Sequence, residues 1–128
     1  MTKNLLDTHT FLWFIDGNDN LSPNALINIE KEDTQNFVSI VSLWEIAIKI
    51  SLGKLEITVP FEKIEDFIYD NNFQILPISF TDLLILSGLP FHHREPFDRL
   101  LIAQSINNEM IFLSKDENVL KYKASVVW

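Results

Sequence analysis

The chain has 128 residues, a formal net charge of −8 and 47% hydrophobic residues, 12% of all residues being aromatic. This content excludes a disordered chain and predicts a single domain over residues 1–128, while the acidic balance argues against a general polyanion binder. Because the sequence contains no cysteine, it also excludes a disulfide framework and a Cys-based zinc site.

The first half of the chain alternates strand and helix signals. In chain order they predict a strand at 4–7, a helix at 8–15, a helix from Ser22 to about Asp33, a strand at 37–40 and a helix at 42–52. Ser22-Pro23 is typical of an N-cap followed by proline at the first helical position. Gly53 is typical of a helix C-terminus.

The second half continues the alternation. It predicts a helix from Pro60 to about Asn71, a strand at 73–76, helices at 81–87 and from Pro96 to about Asn107, a strand at 110–113, a short helix and a final strand at 126–128. Strands that alternate with helices predict an α/β fold with a parallel sheet covered on both faces.

No segment predicts a membrane span or a secretory signal. The longest apolar stretch, residues 40–52, is interrupted by Glu45 and Lys49 and is too short to cross a bilayer. Asp7 follows the N-terminus too closely for a signal peptide. We therefore expect a cytoplasmic protein.

Four carboxylates are predicted to meet at one edge of the sheet. Asp7 and Asp116 each follow a predicted strand, Asp98 lies in the first turn of the helix that begins at Pro96, and Glu45 lies one turn into the helix after the second strand. A helix that follows a parallel strand begins at the edge where that strand ends, so all four acids can converge there.

Each acid also has a structural interpretation. Asp7 and Asp116 could cap the helices that follow them, and the helix dipole favours a carboxylate at Asp98. Glu45 could pair with Lys49 at i,i+4. The helix that carries Glu45 is apolar on most sides, which weakens the surface-pair interpretation.

The combination of four acids favours a metal site. Carboxylates at ~4 Å repel one another by roughly 1–4 kcal/mol per pair, and a divalent cation relieves that repulsion. Oxygen ligation without cysteine favours Mg²⁺ or Mn²⁺ over zinc. A cation of this kind supports hydrolysis of a phosphodiester without a Ser, Cys or His nucleophile.

The remaining polar residues carry weaker signals. His92 and His93 are expected to point apart in an extended loop, and His9 either orients a neighbour or packs, so no histidine is predicted to bind metal. With three glycines the chain has no phosphate-binding Gly-rich loop. Four basic residues could either contact phosphate or lie on the solvated surface, and the sequence does not favour one role over the other. They are Lys49, Arg94, Arg99 and Lys115.

Four ordered motifs resemble one known family. They are Leu5-Leu6-Asp7-Thr8-His9-Thr10-Phe11-Leu12-Trp13, Ser42-Leu43-Trp44-Glu45-Ile46-Ala47-Ile48-Lys49, His92-His93-Arg94-Glu95-Pro96-Phe97-Asp98-Arg99 and Ser114-Lys115-Asp116. Together they resemble the PIN-domain toxins of VapC type, and the resemblance covers essentially the whole chain.

The resemblance implies a three-layer α/β/α domain and a Mg²⁺- or Mn²⁺-dependent endoribonuclease. It also implies the toxin half of a type II toxin–antitoxin pair, a homodimer bound by its antitoxin. By motif position, Asp7 and Asp98 would bind the metal, and Glu45 and Asp116 would complete the site directly or through water.

Three further residues are candidates for accessory roles. Glu95 stands where the family often has Asp, and Ser114 stands where Thr is common. Neither departure removes a carboxylate or a hydroxyl, and the Ser114 hydroxyl is expected to bond one of the acids. Arg99 is the third candidate.

Two other functions remain open at this stage. One is a non-catalytic PIN-like binding module, and the other is a receiver-type phospho-accepting domain, which normally has two adjacent acids near its first strand, where this chain has Asp7 alone. The aromatic residues Trp13, Phe14 and Trp44 are assigned to the core rather than to an interface.

Overall fold

A computed structural model describes all residues, 1–128, as five strands and six α-helices. The strands are β1 (Thr2–Leu6), β2 (Thr34–Ser39), β3 (Phe73–Leu76), β4 (Ile111–Leu113) and β5 (Ser125–Val127). The helices are α1 (Thr8–Asp16), α2 (Pro23–Glu30), α3 (Ile40–Ser51), α4 (Ile64–Asp70), α5 (Phe80–Gly88) and α6 (Pro96–Asn107). Short 3₁₀ helices cover Phe61–Lys63 and Glu117–Lys121.

The five strands form one parallel sheet in the order β3-β2-β1-β4-β5. In the central strand, Leu5 pairs with Phe37 of β2 on one side and with Phe112 of β4 on the other. After β1, the chain therefore adds β2 and β3 on one side of this strand and then β4 and β5 on the other side. Such a reversal leaves a crevice at the carboxyl ends of β1 and β4, where open α/β sheets bind ligands.

Two hydrophobic clusters cover the two faces of the sheet. Successive residues of a strand point to opposite faces, and Leu5 and Leu6, both fully buried, belong to different clusters. The Leu5 cluster includes Leu101 of α6, and the Leu6 cluster includes Phe11 of α1 and Ile68 of α4. The expected three-layer α/β/α fold with a parallel sheet is confirmed.

Several element boundaries differ from the prediction, and two of them, at α2 and α3, have a clear physical reason. Helix α2 ends at Glu30 rather than near Asp33, because Asp33 has a positive φ of 65° and its carbonyl accepts a hydrogen bond from Thr2 N–H at the start of the sheet. Helix α3 begins at Ile40 rather than Ser42. Ser39 ends β2 and caps α3, since its hydroxyl accepts from Val41 N–H at 3.0 Å.

The assignment of Trp44 to the core was wrong. Trp44 is 55% exposed on α3. The one aromatic ring that it packs against is Phe97, in a T-shaped arrangement. Trp13 and Phe14 are half-buried and pack against other rings. None of the helices combines the length and the hydrophobicity that crossing a bilayer requires.

Candidate active site

The carboxyl edge of β1 and β4 carries an acidic cavity of about 460 Å³. Asp7 follows β1 directly, Asp116 lies just past β4, and Asp98 projects from the first turn of α6. All three line the cavity. The structure therefore brings together three of the four predicted acids, each placed by the end of a strand or the start of a helix.

Asp7 is buried with one oxygen left without a partner. Its Oδ2 accepts a 2.7 Å hydrogen bond from the Ser114 hydroxyl, whereas Oδ1 has no hydrogen-bond partner. Ser114 Oγ in turn accepts from Asp116 N–H at 3.1 Å, so one hydroxyl links the two acidic segments. Asp7 precedes α1, but its side chain makes no capping bond. Burial raises the pKa of Asp7, because the ionised form loses water.

Asp98 carries the clearest electrostatic perturbation. Burial, followed by the negative charge of Asp7, raises the pKa of Asp98 to about 7. Glu95, one of the accessory candidates, lies three residues before Asp98 and caps the same helix. The Glu95 carboxylate is turned to the start of α6, where it accepts from Phe97 N–H at 2.9 Å and from Asp98 N–H at 3.4 Å. Glu95 is thus the N-cap of the helix that holds Asp98.

Glu45 lies beside the cavity and is 6% exposed. Its Oε2 binds Lys49 Nζ at 2.7 Å, as the i,i+4 interpretation predicted, but the other oxygen, Oε1, is buried without a partner. Among the smaller contributions after burial, the charge of Glu45 raises the pKa of both Asp7 and Asp98. Glu45 therefore lies in the same electrostatic cluster as the other acids.

Sequence reasoning missed His93, which lies within the cluster. Its Nε2 is 2.6 Å from Asp116 Oδ2 and 3.2 Å from Asp98 Oδ2. Its Nδ1 accepts a hydrogen bond from Glu95 N–H at 3.1 Å, so the neutral ring carries its proton on Nε2, facing the acids. One ligand atom from each of His93, Asp98 and Asp116 fits within a mutual distance of 4.8 Å.

A buried arginine folds the loop that carries His93. Arg99 is 8% exposed, and its guanidinium donates to the carbonyls of Pro90 at 3.0 Å and Leu89 at 3.4 Å. Tyr122 also donates to Pro90 O, at 2.8 Å, and accepts from His93 N–H at 2.9 Å. Of the two interpretations left open for Arg99, the solvated surface position is wrong, and both terminal nitrogens of its guanidinium donate to carbonyls of this loop.

The donor set suits a divalent cation. The cluster offers three carboxylates with Glu45 beside them, and the Nε2–H of His93 donates to two of these acids. Buried carboxylate oxygens without partners, such as Asp7 Oδ1 and Glu45 Oε1, are costly unless a cation or ordered water satisfies them. Oxygen-rich sites of this kind bind Mg²⁺ or Mn²⁺.

The fold and this crevice define the class as three-layer α/β/α proteins with a carboxylate cluster at the switch point of a parallel sheet. Within that class the chain belongs to the PIN domain family, which matches residues 5–124. The family indicated by the motif resemblance is thereby confirmed, and the receiver-domain alternative is excluded. No curated protein sequence matches the chain.

Three solved structures illustrate the same fold. VapBC2 from Rickettsia felis, bound to a DNA fragment from its promoter, is 13% identical with a TM-score of 0.75, covering 99% of each chain. A toxin–antitoxin complex from Klebsiella pneumoniae is 15% identical, with a TM-score of 0.70 over 98% of this chain and 96% of that one. FitAcB from Neisseria gonorrhoeae is 16% identical, with the same TM-score and coverage. At these identities the likeness concerns the fold.

Proposed function

We propose that this protein is a cytoplasmic endoribonuclease that depends on Mg²⁺ or Mn²⁺ and serves as the toxin of a type II toxin–antitoxin pair. The observation that carries the proposal is the pair of buried, unpartnered carboxylate oxygens on Asp7 and Glu45. They lie beside Asp98 and Asp116, at the sheet edge where PIN-like α/β folds bind ligands.

Asp7, Asp98 and Asp116 would hold the cation, with Glu45 completing the site directly or through water. Once bound, a divalent cation activates water and stabilises negative charge on phosphate. The Ser114 hydroxyl beside Asp7 is buried and does not line the cavity, which is consistent with water as the attacking group.

The chain's own residues prepare the acids for this role. Ser114 donates to one oxygen of Asp7, and the other oxygen has no partner. Lys49 likewise binds one oxygen of Glu45 and leaves the other without a partner. His93 holds Asp98 and Asp116 through a single ring nitrogen. Because the pKa of Asp98 is about 7, the metal-free site retains part of a proton near neutral pH and releases it when a cation binds.

Two observations support an antitoxin partner, namely the similarity to solved structures and the charge of the chain. One structure of similar fold is a toxin–antitoxin complex, from Klebsiella pneumoniae. The net charge of −8 and the acid cluster favour a partner segment that carries Arg or Lys. We expect such a segment to reach the cluster and inhibit the enzyme, and a complex whose partner leaves the cluster open would contradict this.

A homodimer is supported by apolar side chains exposed on two helices that pack on α6. Trp44 on α3 is 55% exposed, and Phe80 and Leu84 on α5 are 73% and 55% exposed. Both helices contact α6. Large exposed apolar side chains on neighbouring helices are typical of protein interfaces, and a second copy of the chain would bury them.

The decisive experiment is cleavage of a mixed RNA pool with Mn²⁺, Mg²⁺ or EDTA. We would compare the wild type with Asp7→Asn and with Asp70→Asn, a matched control at the exposed end of α4. Cleavage that requires metal, survives in Asp70→Asn and is lost in Asp7→Asn supports the proposal. Equal cleavage by all three proteins contradicts it, and metal binding without any cleavage favours the non-catalytic binding module.

A further inference from the structure

One wall of the acidic cavity is aromatic. His9 and Trp13, one helical turn apart on α1, both line the cavity, and their rings stack with centroids 5.8 Å apart and an interplanar angle of 29°. Trp13 also packs against Trp128, at 5.7 Å between centroids. His9 is exposed, while Trp13 is half-buried. The pair therefore presents one accessible ring supported by a fixed one.

A single cation accompanies these rings. Lys115 is the only lysine or arginine that lines the cavity, and its Nζ lies 5.9 Å from the centroid of the Trp13 ring. It forms no ion pair, whereas Lys49 is bound to Glu45. Lys115 is thus free to meet an anionic group at the rim of the cavity.

The charge of the chain limits how RNA can be held. With a net charge of −8 and one free cation at the cavity, phosphate contacts contribute little to affinity. Besides the proposed cation, a source of affinity that suits nucleic acid is stacking of bases on aromatic rings, which does not depend on protein charge.

We propose that His9 and Trp13 form a platform on which one unpaired RNA base stacks beside the acid cluster, with Lys115 contacting a neighbouring phosphate. The inference rests on the proposed function and concerns which residues hold the RNA beside the acids. In an A-form duplex the base faces are stacked and out of reach, so only an unpaired base can lie on the platform. The cavity of about 460 Å³ falls within the usual size of small-ligand sites.

The first test measures binding of a short, fluorescent single-stranded RNA by anisotropy. All proteins carry Asp98→Asn to prevent cleavage. Leucine at His9 or at Trp13 removes a ring, while phenylalanine at either position retains one. Tyr69→Leu is the matched control, because Tyr69 is an exposed aromatic residue of α4 outside the cavity. Since His9 is exposed, its replacement should not disturb folding.

We expect each leucine variant to bind about tenfold more weakly, with affinity retained by the phenylalanine variants and the control. A single abasic site, moved along the RNA, should weaken binding to the parent protein at one position and have no further effect in the Trp13→Leu protein. Lys115→Ala should lower the slope of log K against log salt by about one.

Several results would overturn the platform. They are unchanged affinity in both leucine variants, equal binding of duplex and single-stranded RNA, or an effect confined to binding of a basic antitoxin peptide. The proposed function is judged separately, by metal-dependent cleavage in the protein with Asp98 intact. If that protein cleaves RNA, and His9→Leu and Trp13→Leu made with Asp98 intact match it in KM and kcat, the platform fails and the nuclease stands. If it does not cleave, while RNA binding still requires both rings, the nuclease fails and the platform stands.

Discussion

Replacing Asp98 with asparagine should stabilise the metal-free protein at neutral pH and abolish its stabilisation by divalent cations. Burial and the charge of Asp7 raise the pKa of Asp98 from 3.8 to about 7 in the folded protein. The folded state therefore binds the Asp98 proton more tightly than the unfolded state does. This contribution to stability is complete below about pH 4 and is lost as the pH rises through about 7.

The magnitude follows from the two pKa values. A shift of about three units, at 1.36 kcal/mol each, gives an upper limit of about 4 kcal/mol for the cost of ionising Asp98 at high pH. The side chain is 25% exposed, so solvent reduces this cost. We expect Asp98→Asn to be more stable than the wild type by on the order of 2–4 kcal/mol at about pH 8.

The assay is urea denaturation of EDTA-treated protein across this pH range. The free energies of unfolding of wild type and Asp98→Asn should approach each other toward about pH 4 and separate as the pH rises. Millimolar Mg²⁺ or Mn²⁺ should stabilise the wild type and the Asp70→Asn control but not Asp98→Asn. A difference that is independent of pH, or a less stable Asp98→Asn at high pH, would refute the reasoning.

Three further predictions concern other parts of the molecule. Burial opposes ionisation of Asp82, but hydrogen bonds from Ser79, Asn107 and Gln104 outweigh it and lower its pKa. Asp82→Asn should therefore lower the free energy of unfolding by about 1–3 kcal/mol in urea denaturation at neutral pH. The loss should shrink as the pH falls below about 4, and a loss that is independent of pH would contradict this. His93→Gln should weaken Mn²⁺ binding about tenfold by calorimetry, because the ring then no longer orients Asp98 and Asp116, and unchanged affinity would show that His93 does not position these acids. Trp44→Lys should shift the proposed dimer toward monomer in light scattering, and an unaffected dimer would place the interface elsewhere.

The convergence of the acids could be predicted because it depends on local patterns. Short apolar runs that alternate with helical periodicity indicate a parallel sheet, and in such a sheet the carboxyl end of every strand lies at one edge. Asp7 and Asp116 follow strands, and Asp98 and Glu45 lie near helix starts, so their chain positions alone place them at that edge. The N-cap signal at Ser22 was likewise local, and Ser22 caps the helix that follows it.

The contacts that shape the site join residues far apart in the chain. His93 meets Asp116 across 23 residues, and Ser114 meets Asp7 across 107. The loop that directs His93 toward the acids is held by Arg99 and Tyr122 through backbone carbonyl and amide groups. No local pattern in the sequence encodes such contacts.

By itself, the sequence determined the α/β class, the edge that carries the acids and the identity of four carboxylates, because strand and helix periodicities depend on near neighbours. Only the tertiary structure decided that His93 joins the acids, that Arg99 is buried and that Trp44 is exposed. Burial and approach depend on which surfaces the rest of the chain covers, and an apolar or charged residue looks the same in sequence whether or not another element packs against it.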